Sequence, residues 1–401
     1  MHPQRFLSPA ARLALAYPPP GAWMPPLPPG VVRLSAGYPF PESVPVADLA
    51  AALEALLAEE ADAPLHYLGS RAMAALPGLI RQRLAQRGIP VGEGELLVTS
   101  GACQAIDLAA RALIAPGAPV AVEAPTYMEA LEIFRNYTDA ILGYPVDREG
   151  LVVEALAEDL RRRRTAGKAL PRLLYTIPSF QNPTGATLSL ERRRRLLALA
   201  EEYDFLILED DAYGELAFDP QAAPPPLKAL DTRGRVVYLG SLSKVVAPGL
   251  RIGWAAGPEP VIRAMAVFKK DLDHPLAWAL TARYLQGTDL PARLAWLRQR
   301  YRERRNVLLG ALAREMPAGV TWTEPAGGYF VWVSLPPGLD SEKLLPAALA
   351  AGVAYVPGRH FYFGPAAAQG ARHLRLSFSY LPPAELERGV AALARAVRAA
   401  G

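Results

Sequence analysis

Ser241-Leu242-Ser243-Lys244-Val245-Val246-Ala247-Pro248-Gly249-Leu250-Arg251 sets a lysine beside two hydroxyls, with a guanidinium seven residues downstream. A lysine amine condenses with a carbonyl to give a Schiff base. Two hydroxyls and an arginine can hold a phosphate close by. A ligand carrying both an aldehyde and a phosphate suits all four groups, and pyridoxal phosphate is such a ligand. The chain has only six lysines among 43 basic residues, so a lysine in this loop is read as present for its amine. On this segment alone, an ordinary surface lysine is the alternative.

The rest of the chain bounds the answer. Its 401 residues are 51% hydrophobic and 20% charged, a globular balance long enough for a large and a small domain. The formal net charge of +4 is mild for that length. The arginine runs at 161–164 and 192–195 lie in helix-like segments and read as solvated faces rather than a nucleic-acid patch. One cysteine, Cys103, allows no intrachain disulfide and fits a reducing cytosol. Pro and Arg interrupt the apolar residues of the N-terminus, which shows no signal-peptide pattern. No run of about 18 apolar residues marks a membrane span. These features set the expectation of a cytoplasmic protein that binds neither nucleic acid nor membrane.

Residues 1–45 read as a proline-rich, irregular arm in which no helix-turn-helix module fits. From residue 46 onward helices and short apolar strands alternate. Helical pattern covers 46–60, 75–87, 102–114, 127–137, 154–164 and 190–203. Strands are expected at 96–100, 119–123, 140–144, 172–177, 205–208, 236–239 and 252–256. This is the α/β signature of a mostly parallel sheet between helices, with a ligand at the strand C-terminal ends. Helices at 276–286 and 290–315 lead to a smaller α+β domain with strands at 329–334, 354–356 and 374–378 and a last helix at 383–400. The expected division is a large domain at 46–285 and a small one formed by 1–45 and 286–401. No G-x-G-x-x-G motif occurs, which argues against a Rossmann dehydrogenase.

Three further segments carry chemistry. Ser100-Gly101-Ala102-Cys103-Gln104 joins a strand to a helix, whose first N–H groups can cradle a phosphate; a plain turn reads the same. Asn182-Pro183-Thr184-Gly185 is a turn with an amide able to donate to a phenolate oxygen. Glu209-Asp210-Asp211-Ala212-Tyr213 closes an apolar strand, and a carboxylate there needs a cation, such as a protonated pyridine nitrogen. A metal site is the competing reading of the acidic triplet, weakened by the lack of a nearby histidine.

With Tyr67, Ala124-Pro125-Thr126-Tyr127, Pro325-Ala326-Gly327-Gly328-Tyr329, Pro357-Gly358 and Leu374-Arg375-Leu376-Ser377, these segments follow one another in a family order from about residue 33 to 380. In this the chain resembles the class I and II aminotransferases of PLP-dependent transferase fold type I, above all the 2-aminoadipate/kynurenine aminotransferase group. The resemblance implies pyridoxal 5'-phosphate as cofactor and a Schiff base on Lys244, which then moves the substrate proton. It implies Asp210 at the pyridine nitrogen, with Tyr213 and Asn182 at the ring oxygen and Tyr127 stacked on the ring. Ser241, Ser243, Arg251 and the amides of Gly101 and Ala102 would hold the phosphate, joined by Tyr67 from a second subunit of a homodimer. Arg375, with Asn182 and Gly37, would take the substrate, Arg375 binding its α-carboxylate. Near relatives often carry Ser-Gln where Ala102-Cys103 stand, so the phosphate contacts there are expected from the backbone.

The expected activity is ping-pong transfer of an amino group between an L-amino acid of 2-aminoadipate, aromatic or branched-chain type and a 2-oxo acid such as 2-oxoglutarate. Arg12 and Arg33 are surface arginines on this reading, or distal-carboxylate ligands. Two alternatives share the resemblance: a non-catalytic sensor of the kind fused to transcriptional regulators, and a PLP-dependent C–S lyase.

Overall fold

The structure, a computed structural model, describes residues 3–16, 21, 24–270 and 273–400. Residues 17–20, the Tyr-Pro-Pro-Pro run of the arm, lie outside the described residues. The arm is not wholly irregular, which corrects the sequence reading. It holds a short helix, α1 (Pro9–Leu15), capped by the Ser8 hydroxyl, which accepts from the Ala11 N–H at 3.2 Å. Proline at the first helical position removes an N–H that has no intrahelical partner. A two-residue strand, β1 (Val32–Arg33), follows. Next come α2 (Val46–Glu60) and α3 (Arg71–Gln86).

Eight strands form the central sheet: β2 (Leu96–Thr99), β3 (Val120–Ala124), β4 (Ile141–Asp147), β5 (Gly150–Leu151), β6 (Leu173–Thr176), β7 (Leu206–Asp210), β8 (Val236–Ser241) and β9 (Gly253–Ala256). Their spatial order is β2-β9-β8-β7-β6-β3-β4-β5. The inner strands β8, β7, β6, β3 and β4 run parallel. At one edge β9 runs antiparallel to both β8 and β2, and at the other β5 runs antiparallel to β4, a mixed border that short apolar runs do not announce. Alternate strand residues feed two cores. Leu173, Tyr175, Leu208 and Val237 pack under α4 (Ala102–Leu113), α5 (Met128–Arg135) and α9 (Glu259–Phe268). Leu174, Ile207 and Val236 pack under α6 (Val153–Thr165), α7 (Leu190–Glu202) and α8 (Leu227–Leu230). Each such side chain contributes about 1.5–3 kcal/mol when removed from water, which is why these strands are apolar on both faces.

One expectation fails inside α7. Arg193 is fully buried rather than solvated. It heads the inward stripe Arg193, Leu196, Leu199 and Ala200, and its guanidinium donates to the carbonyls of Pro178, Leu188 and Pro225. Glu209 lies 3.9 Å away as its counter-charge. Its position on that stripe follows helical periodicity, but its partners are loop carbonyls that only the tertiary fold brings near.

Beyond the sheet, α10 (Pro275–Gly287) packs on α2 and α3, and α11 (Leu290–Glu315) runs to a second, four-stranded sheet. Its members are β10 (Thr321–Trp322), β11 (Phe330–Ser334), β13 (Val356–Pro357) and β14 (His373–Ser377). The segment expected as one strand at 354–356 is divided between two sheets. β12 (Val353–Ala354) pairs in parallel with β1, and β13 joins β14. Asp340 caps α12 (Ser341–Ala350), and α13 (Pro383–Ala400) packs against α11 and α12. Pairing with β12 brings the arm residues after β1 to the mouth of the site.

Candidate active site

A cavity of about 590 Å³ opens where β7 and β8 of the central sheet end, between them and the small sheet. Lys244, three residues past β8, points its Nζ into it and donates to the Gly37 carbonyl at 3.1 Å. Burial lowers the Lys244 pKa to about 8, opposed in part by the Glu129 carboxylate. Its amine is therefore far closer to neutrality at physiological pH than an exposed lysine.

The acidic triplet diverges in three directions. Glu209 accepts from the N–H groups of Leu227 and Lys228 at 2.7 and 2.8 Å. Asp211 pairs with Arg87 at 2.6 Å and accepts from the Tyr238 hydroxyl. Asp210 alone faces the cavity. Its Oδ2 accepts from the Tyr175 hydroxyl at 2.7 Å, and its Oδ1 is buried without a hydrogen-bond partner among the described residues. Burial raises its pKa to about 6. A cationic donor in the cavity would satisfy that oxygen and draw the pKa back down. Among the described residues, no group of three His, Cys, Asp or Glu side chains could hold a metal ion.

Ser241 closes β8, and its hydroxyl contacts the Ser243 hydroxyl at 3.0 Å. Arg251, in the left-handed region at φ 54°, reaches the Ser100 carbonyl at 3.1 Å. The chain enters α4 through Gly101 at φ 83°, and a Cβ there would lie 2.6 Å from Arg251 Nη2. Two hydroxyls, a guanidinium and the free N–H groups at the start of α4 thus converge on one side of the cavity, a cradle suited to a phosphate. Ala102 lines it; Gly101 sits behind Arg251.

On another wall, Arg375 of β14 donates to Asn182 Oδ1 at 2.8 Å and to the Ser35 carbonyl at 3.1 Å. Burial lowers its pKa to about 10, still well above neutrality, and its Nε has no partner among the described residues. Tyr213 lies 6.0 Å by its ring from Lys244 Nζ, and burial raises its phenol pKa. Tyr127 stands at the start of α5 and donates to Glu129. One candidate lies elsewhere. Tyr67 is 95% exposed, on a turn outside this cavity.

Sequence reasoning missed Tyr175, Glu129 and a role for Tyr329. Tyr329 donates to the Lys244 carbonyl at 3.2 Å and packs on Tyr213. Tyr175 reads as a core strand residue, and only the β6–β7 pairing sets its hydroxyl on Asp210. Cys103 also lines the cavity, with its thiol 3.4 Å from Glu129 and burial pushing its pKa up to about 12. Arg33 is at the rim; Arg12 instead donates to the Arg5 carbonyl.

This fold and cavity define an enzyme built around an aldehyde cofactor with a phosphate tail. The chain belongs to the aminotransferase class I and II family, whose model matches residues 29–393. It is 38% identical to aromatic-amino-acid aminotransferase 1 of Thermococcus litoralis over 92% of this chain and 88% of that protein. The multiple substrate aminotransferase of Thermococcus profundus superposes with a TM-score of 0.90 at 35% identity, covering 100% of this chain and 99% of that one. LysN, the α-aminoadipate aminotransferase of Thermus thermophilus, was solved with N-(5'-phosphopyridoxyl)-L-leucine; it matches with a TM-score of 0.87 at 34% identity, covering 100% of this chain and 99% of that one. The protein is a PLP-dependent aminotransferase, acting on amino acids and 2-oxo acids. Among its described residues, no helix is long and apolar enough to cross a membrane.

Proposed function

We propose that Lys244 is the proton carrier of this transaminase and that its amino-group donor is an aromatic or other large apolar L-amino acid, with a 2-oxo acid such as 2-oxoglutarate as acceptor. The observation that carries the reading is the meeting of Lys244, Asp210, Asn182, Tyr213 and Arg375 around one cavity. Met24, Leu27, Tyr38, Phe330 and Val356 add apolar wall to the same cavity, with Phe330 under the Arg375 guanidinium, which suits a large side chain.

Pyridoxal phosphate supplies an aldehyde that condenses with amines and a ring that draws electron density from the substrate α-carbon. Ser241, Ser243, Arg251 and the Ala102 amide would hold its phosphate; the Gly101 N–H, expected to join them, is instead donated to the Thr99 carbonyl at 2.9 Å. Asp210 keeps a proton on the ring nitrogen, and Tyr175 fixes the plane of that carboxylate. Asn182 and Tyr213 would donate to the ring oxygen, and Tyr127 would pack against the ring. Arg375 takes the substrate α-carboxylate, releasing the Ser35 carbonyl to do so. Lys244 Nζ would remove the α-proton of the bound amino acid and deliver a proton back as the amino group changes hands. Gly37 closes the substrate side through its backbone.

The assembly on this reading is a cytoplasmic homodimer. Tyr67 and its exposed neighbours Leu65 and Leu68 form the surface that meets a second copy, and the Tyr67 hydroxyl reaches the partner's phosphate cradle. The large domain spans 46–285, with 1–45 and 286–401 as the small one.

The test is the visible spectrum of the PLP-loaded protein titrated with single amino acids. Aromatic amino acids should bleach the visible band fastest, with 2-oxo acid formed and no ammonia. Ammonia with pyruvate would assign C–S lysis instead. Sedimentation at micromolar concentration should give the mass of a dimer.

A further inference from the structure

Glu123, the next-to-last residue of β3, is 1% exposed and is not among the residues that line the cavity. Its partners are three neutral donors. Oε1 accepts from the Thr176 hydroxyl at the end of β6. Oε2 accepts from the Ile177 N–H at 3.2 Å and from Gln181 Nε2 at 3.0 Å. A carboxylate offers acceptors only, so one side chain can hold all three donors at once. Burial pushes its pKa up to about 7, and the three hydrogen bonds work against that rise.

The contacts form a chain into the site. Gln181 Nε2 also donates to the Pro125 carbonyl at 2.7 Å, two residues before Tyr127. Gln181 Oε1 accepts from the Thr184 N–H and hydroxyl at 2.9 and 2.7 Å. The Gly185 N–H donates to the Gln181 carbonyl, closing the turn that carries Asn182. One buried carboxylate therefore ties together the turn bearing Tyr127 and the turn bearing Asn182.

We propose that Glu123 is a positioning residue, which acts through Gln181 to hold the Asn182 amide and the Tyr127 ring in register with the cofactor. The inference rests on the assignment of Asn182 to the ring oxygen. A displacement of about 1 Å at a reacting centre costs up to about a hundredfold in rate.

Glu123→Leu puts a somewhat larger apolar side chain there and removes every acceptor. It should shift the pH midpoint of the visible band of the loaded enzyme and lower kcat/KM by about 10- to 100-fold. Glu123→Gln keeps an oxygen toward Ile177 and Gln181 and should restore both readouts nearly to wild type. Gln181→Met cuts the same link from the other side and should move the band midpoint in the same direction. It decides the question if Glu123→Leu does not fold. A folded Glu123→Leu or Gln181→Met protein with a lower melting temperature but the wild-type midpoint and kcat/KM would overturn the proposal, leaving Glu123 a packing residue. Asn182→Ala separates the two layers. If that variant leaves the midpoint unmoved, the Asn182 assignment itself falls; if it shifts while Glu123→Leu does not, only the positioning role is lost.

Discussion

Arg375 donates to Asn182 Oδ1 at 2.8 Å, joining a strand of the small sheet to a turn of the large one across 193 residues of sequence. Arginine has only donors, so the contact fixes which end of the Asn182 amide is oxygen. The NH₂ group is thereby left to donate elsewhere. The residue proposed for the substrate carboxylate and the residue proposed for the ring oxygen set each other's orientation.

Arg375→Lys should test that coupling. A lysine ammonium is a point donor without the planar fork, so it cannot hold a carboxylate in bidentate fashion and fix Asn182 as well. We expect kcat/KM to fall roughly 10- to 100-fold, mostly through KM, with PLP still bound. Steady-state kinetics with a fixed 2-oxo acid would show it, and an unchanged KM would exclude Arg375 from substrate binding.

Lys244 gives a prediction about loading. With its pKa lowered to about 8, the empty protein holds the amine mostly protonated below that pH. Only the neutral amine attacks an aldehyde. The rate at which apoprotein takes up PLP should rise with pH up to about 8 and level off beyond it, whereas an ordinary lysine would keep rising toward 10.5. Stopped-flow absorbance reads this directly, and Lys244→Ala should give no visible protein-bound band at all.

Asp210 gives one about stability. Burial raises its pKa from 3.8 to about 6. The empty folded state then binds this proton more tightly than the unfolded chain. Stability from the group is full below about pH 4 and is lost as pH rises through about 6, by an amount on the order of 3 kcal/mol. A ring cation held against the carboxylate favours its ionised form and offsets that loss. The melting-temperature gain on adding PLP should be larger near neutral pH than in mild acid, and Asp210→Asn should flatten the difference. Equal gains in both proteins would count against the pairing.

Gly101→Ala addresses the phosphate cradle. An alanine at φ 83° and ψ 171°, a region essentially confined to glycine, is strained by about 1–3 kcal/mol. Its methyl would also fall 2.6 Å from Arg251 Nη2 and push the guanidinium aside. PLP affinity, measured by equilibrium dialysis, should weaken about tenfold while the fold is retained.

By itself the sequence determined the alternation of helices with apolar strands. It also placed the polar residues at strand ends, because strands buried on both faces must be apolar until they emerge. Helices 46–60, 290–315 and 383–400 were legible to the residue, since long periodic segments bounded by proline, aspartate or an acidic end have few alternatives. Lys244 and Asp210 stood out as candidates, because a lone lysine among hydroxyls and a carboxylate ending an apolar run have few cheap structural uses; Arg375 was a candidate only through the family resemblance.

Tertiary structure alone decided who faces whom. It buried Arg193 within an arginine run and sent Glu209, Asp210 and Asp211 to three different partners. It set Tyr175 on Asp210 and bound Arg375 to Asn182. Local periodicity fixes the face on which a side chain emerges. The partner it meets depends on strand order and on the packing of one sheet against another, and those follow from contacts made far along the chain.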